Sequence, residues 1–320
     1  MSHLVLLYYK FVHLPDAAAE RDLQEQWCRE LELRGRIIVA AEGINGTVSG
    51  LVNEAQEYMR RMQGHPQFAG TEFKVDEAEG HVFKRLTVKL RAEIVTLGIE
   101  ADCIGNTGQR LSPMEFREKL DDPEAILLDI RNDYEYEIGR FEGAIRPPVE
   151  TFKEFPDWIE RQFGDQRDRL ILTYCTGGIR CEKLTAYMRE KGFQNVCQLE
   201  GGIVTYAKDP RVKGQKFEGD CFVFDDRLSV KVGDPVSRCE KCGELIARYV
   251  NCENVDCNRL YFLCKACENE KGLACSPACA ESVRIRKPND RLDPGLRSEG
   301  LRLKRRRHRA HRRESAQSVK

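Results

Sequence analysis

The sequence predicts a multidomain protein of mixed α/β and α+β class, and three observations carry that prediction. Over residues 1–97 the apolar pattern runs strand, helix, strand, strand, helix, strand. Over residues 113–215 strands and helices alternate, and the strands are near-continuous apolar runs of the kind buried on both faces. Between residues 239 and 279 eight of the chain's 14 cysteines crowd together. A chain of 320 residues can hold two or three domains, each with its own core.

Residues 4–11 are apolar and aromatic and read as the first strand. Asp16 is placed to cap a helix in which Leu23, Trp27 and Leu31 recur at four-residue spacing. Arg36-Ile37-Ile38-Val39-Ala40 is a second strand, Gly43-Ile44-Asn45-Gly46 reads as a turn, and Thr47-Val48 opens a short third strand. A helix over about 53–63 and a strand over 72–75 complete the order of a split βαβ, ferredoxin-like domain. Val82 to Leu90 alternates in part, with Lys84, Arg85, Lys89 and Arg91 set among Leu86, Val88 and Leu90, as in an amphipathic strand with a basic face. Gly98, Gly105 and Gly108 mark 98–112 as a connector.

The second domain opens at Ser112, a helix N-cap with Pro113 in the first helical position. A buried strand ends in Asp129-Ile130-Arg131, a helix covers 155–163, and the run Leu170 to Tyr174 is the next strand. A helix from Glu182 to Lys191 and a strand over 195–199 follow. Such alternation predicts a doubly wound parallel sheet, whose ligand sites lie at the carboxyl ends of its strands. One such end carries Cys175-Thr176-Gly177-Gly178-Ile179-Arg180-Cys181. The cysteine stands in a tight loop that opens a helix, where unpaired N–H groups favour an anion. A thiolate is an anion, so this placement lowers the thiol pKa and makes Cys175 a nucleophile. Gly177 and Gly178 let the backbone curl around it, and Arg180 adds a permanent positive charge.

The chain has 41% hydrophobic and 32% charged residues, ordinary values for a soluble protein. No apolar run approaches the ~20 residues that span a bilayer. The first residues lack the basic region and cleavage site of a signal peptide, so a cytoplasmic location is expected, with no membrane partner. In a reducing compartment a dense set of cysteines points to metal rather than disulfides. Four pairs occupy the module expected over 216–283: Cys239 and Cys242, Cys252 and Cys257, Cys264 and Cys267, Cys275 and Cys279. Zinc takes four thiolates tetrahedrally, and knuckles of this spacing each supply two, so one or two structural zinc ions are expected. Either adjacent pairs share an ion or alternate pairs interleave, the second being the more compact module. Cys28, Cys103 and Cys197 read as small core residues, and Cys221 at most as an additional ligand. The formal net charge is zero, yet residues 281–320 hold 14 Lys/Arg against 5 Asp/Glu. The basic, disordered tail expected over 284–320 favours phosphate backbones.

Asp129-Ile130-Arg131, Gly139 to Ala144, and the loop from Cys175 to Arg180 resemble the rhodanese domain, in which the loop cysteine carries a persulfide. Two positions depart from that pattern: Arg140 stands where many members have histidine, and Cys181 where serine or threonine is usual. Taken with Ala41 to Thr47, Val88 to Val95 and Asn132-Asp133-Tyr134-Glu135, the chain from about 4 to 280 resembles the bacterial tRNA uridine(34) hydroxylases. That resemblance implies oxygen-dependent formation of 5-hydroxyuridine at the wobble position, with molecular oxygen as co-substrate and the anticodon region of tRNA as partner. It makes Cys175 the essential residue, supported by Thr176, Gly177, Gly178, Ile179, Arg180 and Cys181, with Asp129 and Arg131 behind them. No facial triad for iron and no flavin or nucleotide fingerprint is visible, and no protein partner is expected. The alternatives are a persulfide sulfurtransferase, with a sulfur donor as partner, and a non-catalytic RNA-binding scaffold. For Cys181 two roles stand open: resolving a persulfide on Cys175 as a disulfide, or packing.

Overall fold

The computed structural model describes residues 2–285. Contacts divide the chain into one unit running from Met1 to Asp234 and a second that begins at Pro235. No helix among the described residues is long and apolar enough to cross a membrane.

The first unit begins with β1 (His3–Phe11), α1 (Ala17–Glu30), β2 (Arg34–Ala40), β3 (Gly43–Leu51), α2 (Val52–Gly64) and β4 (Phe73–Ala78). Asp16 caps α1, accepting from the Ala19 N–H. The sheet order β4-β1-β3-β2 is that of the ferredoxin-like fold, and β5 (Leu86–Leu90) extends it by pairing parallel to β2. Residues 43–46 are not a turn: they lie inside β3, and the β2–β3 hairpin turns at Ala41-Glu42. The glycines there serve close packing within the sheet; a side chain on Gly46 would strike the Tyr8 ring. Strand alternation sends Leu6, Tyr8, Ile37, Val39, Ile44 and Val48 into a core with α1 and α2. Leu7, Tyr9, Arg36, Ile38, Asn45 and Thr47 fall on the opposite face.

The parallel sheet has the order β6-β10-β9-β7, built from β6 (Gln109–Leu111), β7 (Ile126–Asp129), β9 (Ile171–Tyr174) and β10 (Val196–Leu199). Its edge strand β6 falls within the span read as a connector. Between these strands come α3 (Pro113–Lys119), α4 (Asp133–Ile138), β8 (Gly139–Phe141), α5 (Phe155–Phe163) and α6 (Ile179–Glu190), and α7 (Gly202–Lys208) follows β10. Ser112 forms a full capping box with Glu115 at the head of α3.

The chain then returns across the sheet. β11 (Phe217–Gly219) pairs antiparallel with β8, and β12 (Cys221–Phe222) pairs with β13 (Ser229–Val230). Phe217 packs edge-on against Phe141, itself ringed by Phe116, Tyr174 and Tyr206. Burying such rings is worth roughly 1.5–3 kcal/mol each, which is why residues 217–234 belong to the first unit. Residues 217–234 thus pack with the first unit, whose contacts run on to Asp234.

Among the described residues the second unit has four short strands paired as two hairpins, Ser237–Arg238 with Leu245–Ile246 and Tyr249–Asn251 with Leu260–Phe262. Helices Lys265–Lys271 and Pro277–Ala280 follow. Its core is mostly cysteine, with Tyr261, Leu263 and Leu273. The basic segment lies beyond 285 and so almost wholly outside the described residues.

Candidate active site and metal centres

Cys175 sits at the carboxyl end of β9, 1% exposed. The helix after it starts at Ile179 rather than near 182, so Arg180 and Cys181 belong to its first turn. Gly178 is the N-cap with φ 102°, a conformation glycine adopts freely, and its N–H donates to the Cys175 sulfur at 3.1 Å. Burial alone pushes this thiol up. The Cys181 thiol, the Arg180 charge and the N–H groups of Cys181 and Gly178 outweigh it and bring the pKa down to about 5. Cys181 is fully buried, and burial with the neighbouring thiolate raises its own pKa well above the usual value. It is therefore a neutral donor at the sulfur it faces.

Arg180 is held by Glu135, whose carboxylate takes both guanidinium ends at 2.8 and 2.7 Å and the Thr176 hydroxyl at 3.1 Å. Glu135 is completely buried. That burial opposes its charge, but Arg180 holds its carboxyl below the usual range. The sequence reading gave Glu135 no role. The visible trace was a capping box, in which Glu135 reaches back to the Asn132 N–H at the start of α4. Asp129 and Arg131 lie lower. Arg131 chelates Asp129 at 2.6 to 3.2 Å and donates to the Gly139 carbonyl, while Tyr174 donates to Asp129 at 2.7 Å. They brace the strand end and have no hydrogen bond to the sulfur.

The open face of the N-terminal sheet roofs the loop. A side chain on Gly177 would come within 3.1 Å of Leu7, and one on Gly178 within 2.8 Å of the Tyr9 hydroxyl. Tyr9 donates to Glu182 at 3.0 Å, and Arg110 pairs with the same carboxylate at 2.9 Å. Lys183, 1% exposed in its side chain, bridges Glu42 and Glu93 at 2.7 Å each and so ties α6 to the first domain. Glu42 also accepts from the Ile94 N–H, and Asn45 donates to the Ile94 carbonyl at 3.0 Å. The stretches 41–47 and 88–95 thus converge on the wall facing Cys175.

Between loop and sheet lies a cavity of about 410 Å³, bounded by Cys175 and Arg180 on one side and Tyr9, Asn45 and Thr47 on the other, with Phe224 at its edge. Its size suits a small-molecule site. A larger, more open cavity of about 700 Å³ around Glu42, Glu93 and Lys183 does not reach the Cys175 loop.

In the second unit the eight cysteines form two groups, Cys239, Cys242, Cys264 and Cys267, and Cys252, Cys257, Cys275 and Cys279. Pairs alternate, as the more compact arrangement requires. Within each group the sulfurs lie within 4.8 Å of one another. Several sit 3.7 Å apart, as for Cys242 with Cys264 and Cys257 with Cys275. A tetrahedron with Zn–S bonds of ~2.3 Å has edges of ~3.8 Å. Backbone N–H groups of Cys264, Cys267 and Cys275 point at ligand sulfurs at 3.3 to 3.4 Å. The donor set fits two tetrahedral thiolate sites. Cys221 belongs to neither and is buried in the first unit, where burial takes its thiol to about 12.

Three family models match the chain: the UPF0176 acylphosphatase like domain over residues 3–94, the Rhodanese-like domain over 112–209 and the Rhodanase C-terminal over 218–280. A Bacillus velezensis protein named tRNA uridine(34) hydroxylase is 46% identical over 293 residues, covering 88% of this chain and 90% of that protein. A Bacillus cytotoxicus protein of the same name is 47% identical, covering 88% and 89%. Among solved structures, a rhodanese-like domain protein of Staphylococcus aureus is 20% identical over 32% of this chain and 94% of its own, with a TM-score of 0.27.

Proposed function

The chain belongs to the tRNA uridine(34) hydroxylase family, and from that premise we propose that it converts the wobble uridine of tRNA to 5-hydroxyuridine, with Cys175 as its nucleophile and oxygen as co-substrate. The observation that carries this reading is the placement of a thiol of pKa about 5 at a cavity whose far wall is a second domain. At neutral pH the sulfur is a thiolate without a general base. Its addition to C6 of uracil forms a C–S bond and moves the ring electron pair onto C5 and the C4 carbonyl. C5 then bonds to one oxygen of O2 and, with a proton, forms a C5 hydroperoxide. A thiol reductant from outside the protein supplies two electrons that break the O–O bond, and itself becomes a disulfide. One oxygen stays on C5 as hydroxyl and the other is released as water. Departure of the thiolate with loss of the C5 proton restores the ring. Arg180, fixed by Glu135, and the helix N–H groups hold the sulfur's charge before attack and after release.

The sulfurtransferase alternative needs only the loop. It leaves the roof over Cys175 and the tie through Lys183 without a purpose. The second unit binds two structural zinc ions in this reading and, with the basic segment 284–320, holds the RNA in the cytoplasm. Replacing Cys175 by Ala or Ser in a strain that relies on this protein abolishes 5-hydroxyuridine in wobble-position nucleosides measured by mass spectrometry. Persistence of the modified base in such a variant overturns the role of the thiol.

A further inference from the structure

Two wall residues of the Cys175 cavity have no part in activating the thiol, and both are suited to a nucleobase. Asn45 lies on the cavity face of β3, between Tyr9 of β1 and Ile38 of β2 in register. Its amide group donates to the Ile94 carbonyl at 3.0 Å. A carbonyl only accepts, so that bond fixes the NH₂ on Ile94 and leaves the carboxamide oxygen as the group for a ligand. An acceptor there complements the N3–H of uracil. It opposes cytosine, whose N3 is itself an acceptor.

Phe224 is 43% exposed at the cavity's edge. It is braced edge-on by Phe222, with ring centroids 4.8 Å apart, and Phe222 in turn packs on Tyr134. The Arg180 guanidinium lies 5.9 Å from the Phe224 centroid. The segment that carries Phe224 is pinned to the N-terminal sheet, because Arg227 chelates Asp225 and reaches Asp76 at 3.1 Å, and the Asp226 N–H donates to the Val82 carbonyl. An aromatic ring held in this way is a stacking surface for an extruded base.

We propose that this cavity is a pocket for one unstacked uracil, read at N3–H by Asn45 and stacked on Phe224. The proposal rests on the hydroxylase reading and adds where base recognition lies: the N-terminal sheet and the 217–234 segment supply it, while the rhodanese-type loop supplies only the thiolate.

The test uses the full chain with Cys175→Ser, so that nothing turns over, and anticodon stem-loop RNAs that differ only in carrying U or C at position 34. The unaltered pocket binds the U34 RNA more tightly. Asn45→Ala lowers U34 affinity and removes the U-over-C preference. Phe224→Ala weakens both RNAs by about 5- to 150-fold, the range for loss of one stacked base, and Phe224→Trp restores them. In the chain with Cys175 intact, alkylation of that thiol keeps its midpoint near 5 in each variant, which separates a recognition defect from a damaged loop. Unchanged affinity and preference in Asn45→Ala and Phe224→Ala overturn the pocket assignment, and loss of 5-hydroxyuridine in Cys175→Ser then leaves the hydroxylase reading standing. Persistence of 5-hydroxyuridine in Cys175→Ser overturns the hydroxylase reading itself.

Discussion

Cysteine stands in two different settings in this chain, and the contrast between the Cys175 loop and the eight-cysteine unit shows what sets them apart. In the loop a single sulfur carries negative charge because fixed donors surround it: a neighbouring thiol, two backbone N–H groups and an arginine locked by Glu135. None of these bonds covalently to the sulfur, and Cys175 lines a cavity. In the second unit each sulfur lies near three others at a spacing that fits a shared cation. A metal held there would neutralise the charge and use the lone pair, which would make structure rather than reactivity. Exposure does not separate the two, since Cys175 is buried and so are Cys239, Cys252, Cys264 and Cys267. The nature of the neutralising group does.

The largest test of that contrast is removal of metal. Protein purified without added zinc carries about two ions per chain. Chelation unfolds the region 235–285, because folding there draws on metal binding worth ~10–16 kcal/mol per site. Limited proteolysis reads this as cleavage confined to that region, with the first unit intact. Cys239→Ser and Cys257→Ser each lose one ion; a single variant that loses neither breaks the two-site assignment.

Next in size is Glu135→Ala, which strands Arg180 in a buried site and costs about 3–5 kcal/mol of stability, measured by denaturant unfolding of the full chain. Glu135→Gln keeps the Thr176 hydrogen bond and falls short of that loss.

The smallest effect is on titration. Alkylation of Cys175 by a small reagent rises with pH around a midpoint near 5, since the reactive thiolate is lost as pH falls through that value. Cys181→Ala removes a donor to the thiolate and raises the midpoint by about one to two units, the equivalent of one hydrogen bond to a charged group. At pH 6 that variant therefore labels more slowly than the parent. Metal-bound cysteines of the second unit stay unlabelled at the same pH until chelator is added, which sharpens the comparison directly.

Much of the architecture is legible in local pattern. Asp16 and Ser112 cap the helices expected of them, and strands alternating with helices in the middle of the chain do make a parallel sheet. The turn read at 43–46 fails for a local reason: Gly and Asn are turn formers, but here the glycines permit close packing inside a strand. The packing of 217–234 onto the parallel-sheet domain is not legible for a non-local reason, since Phe217 has its partners in Phe141 and β8, some 75 residues earlier.

Sequence by itself carried the low pKa of the Cys175 sulfur. Strand, glycine loop, helix start and Arg180 are contiguous, and a helix terminus acts on groups within its own turn. The pairing of thiols in the second unit was narrowed by spacing but chosen by the fold. Only the tertiary structure brought Glu135 to Arg180, laid the N-terminal sheet over Cys175 and placed Asn45 and Phe224 in one cavity. Those contacts join residues 45 to 179 positions apart. At that range side-chain type is no guide to partner, because proximity is set by how sheets and helices pack rather than by neighbours in the chain.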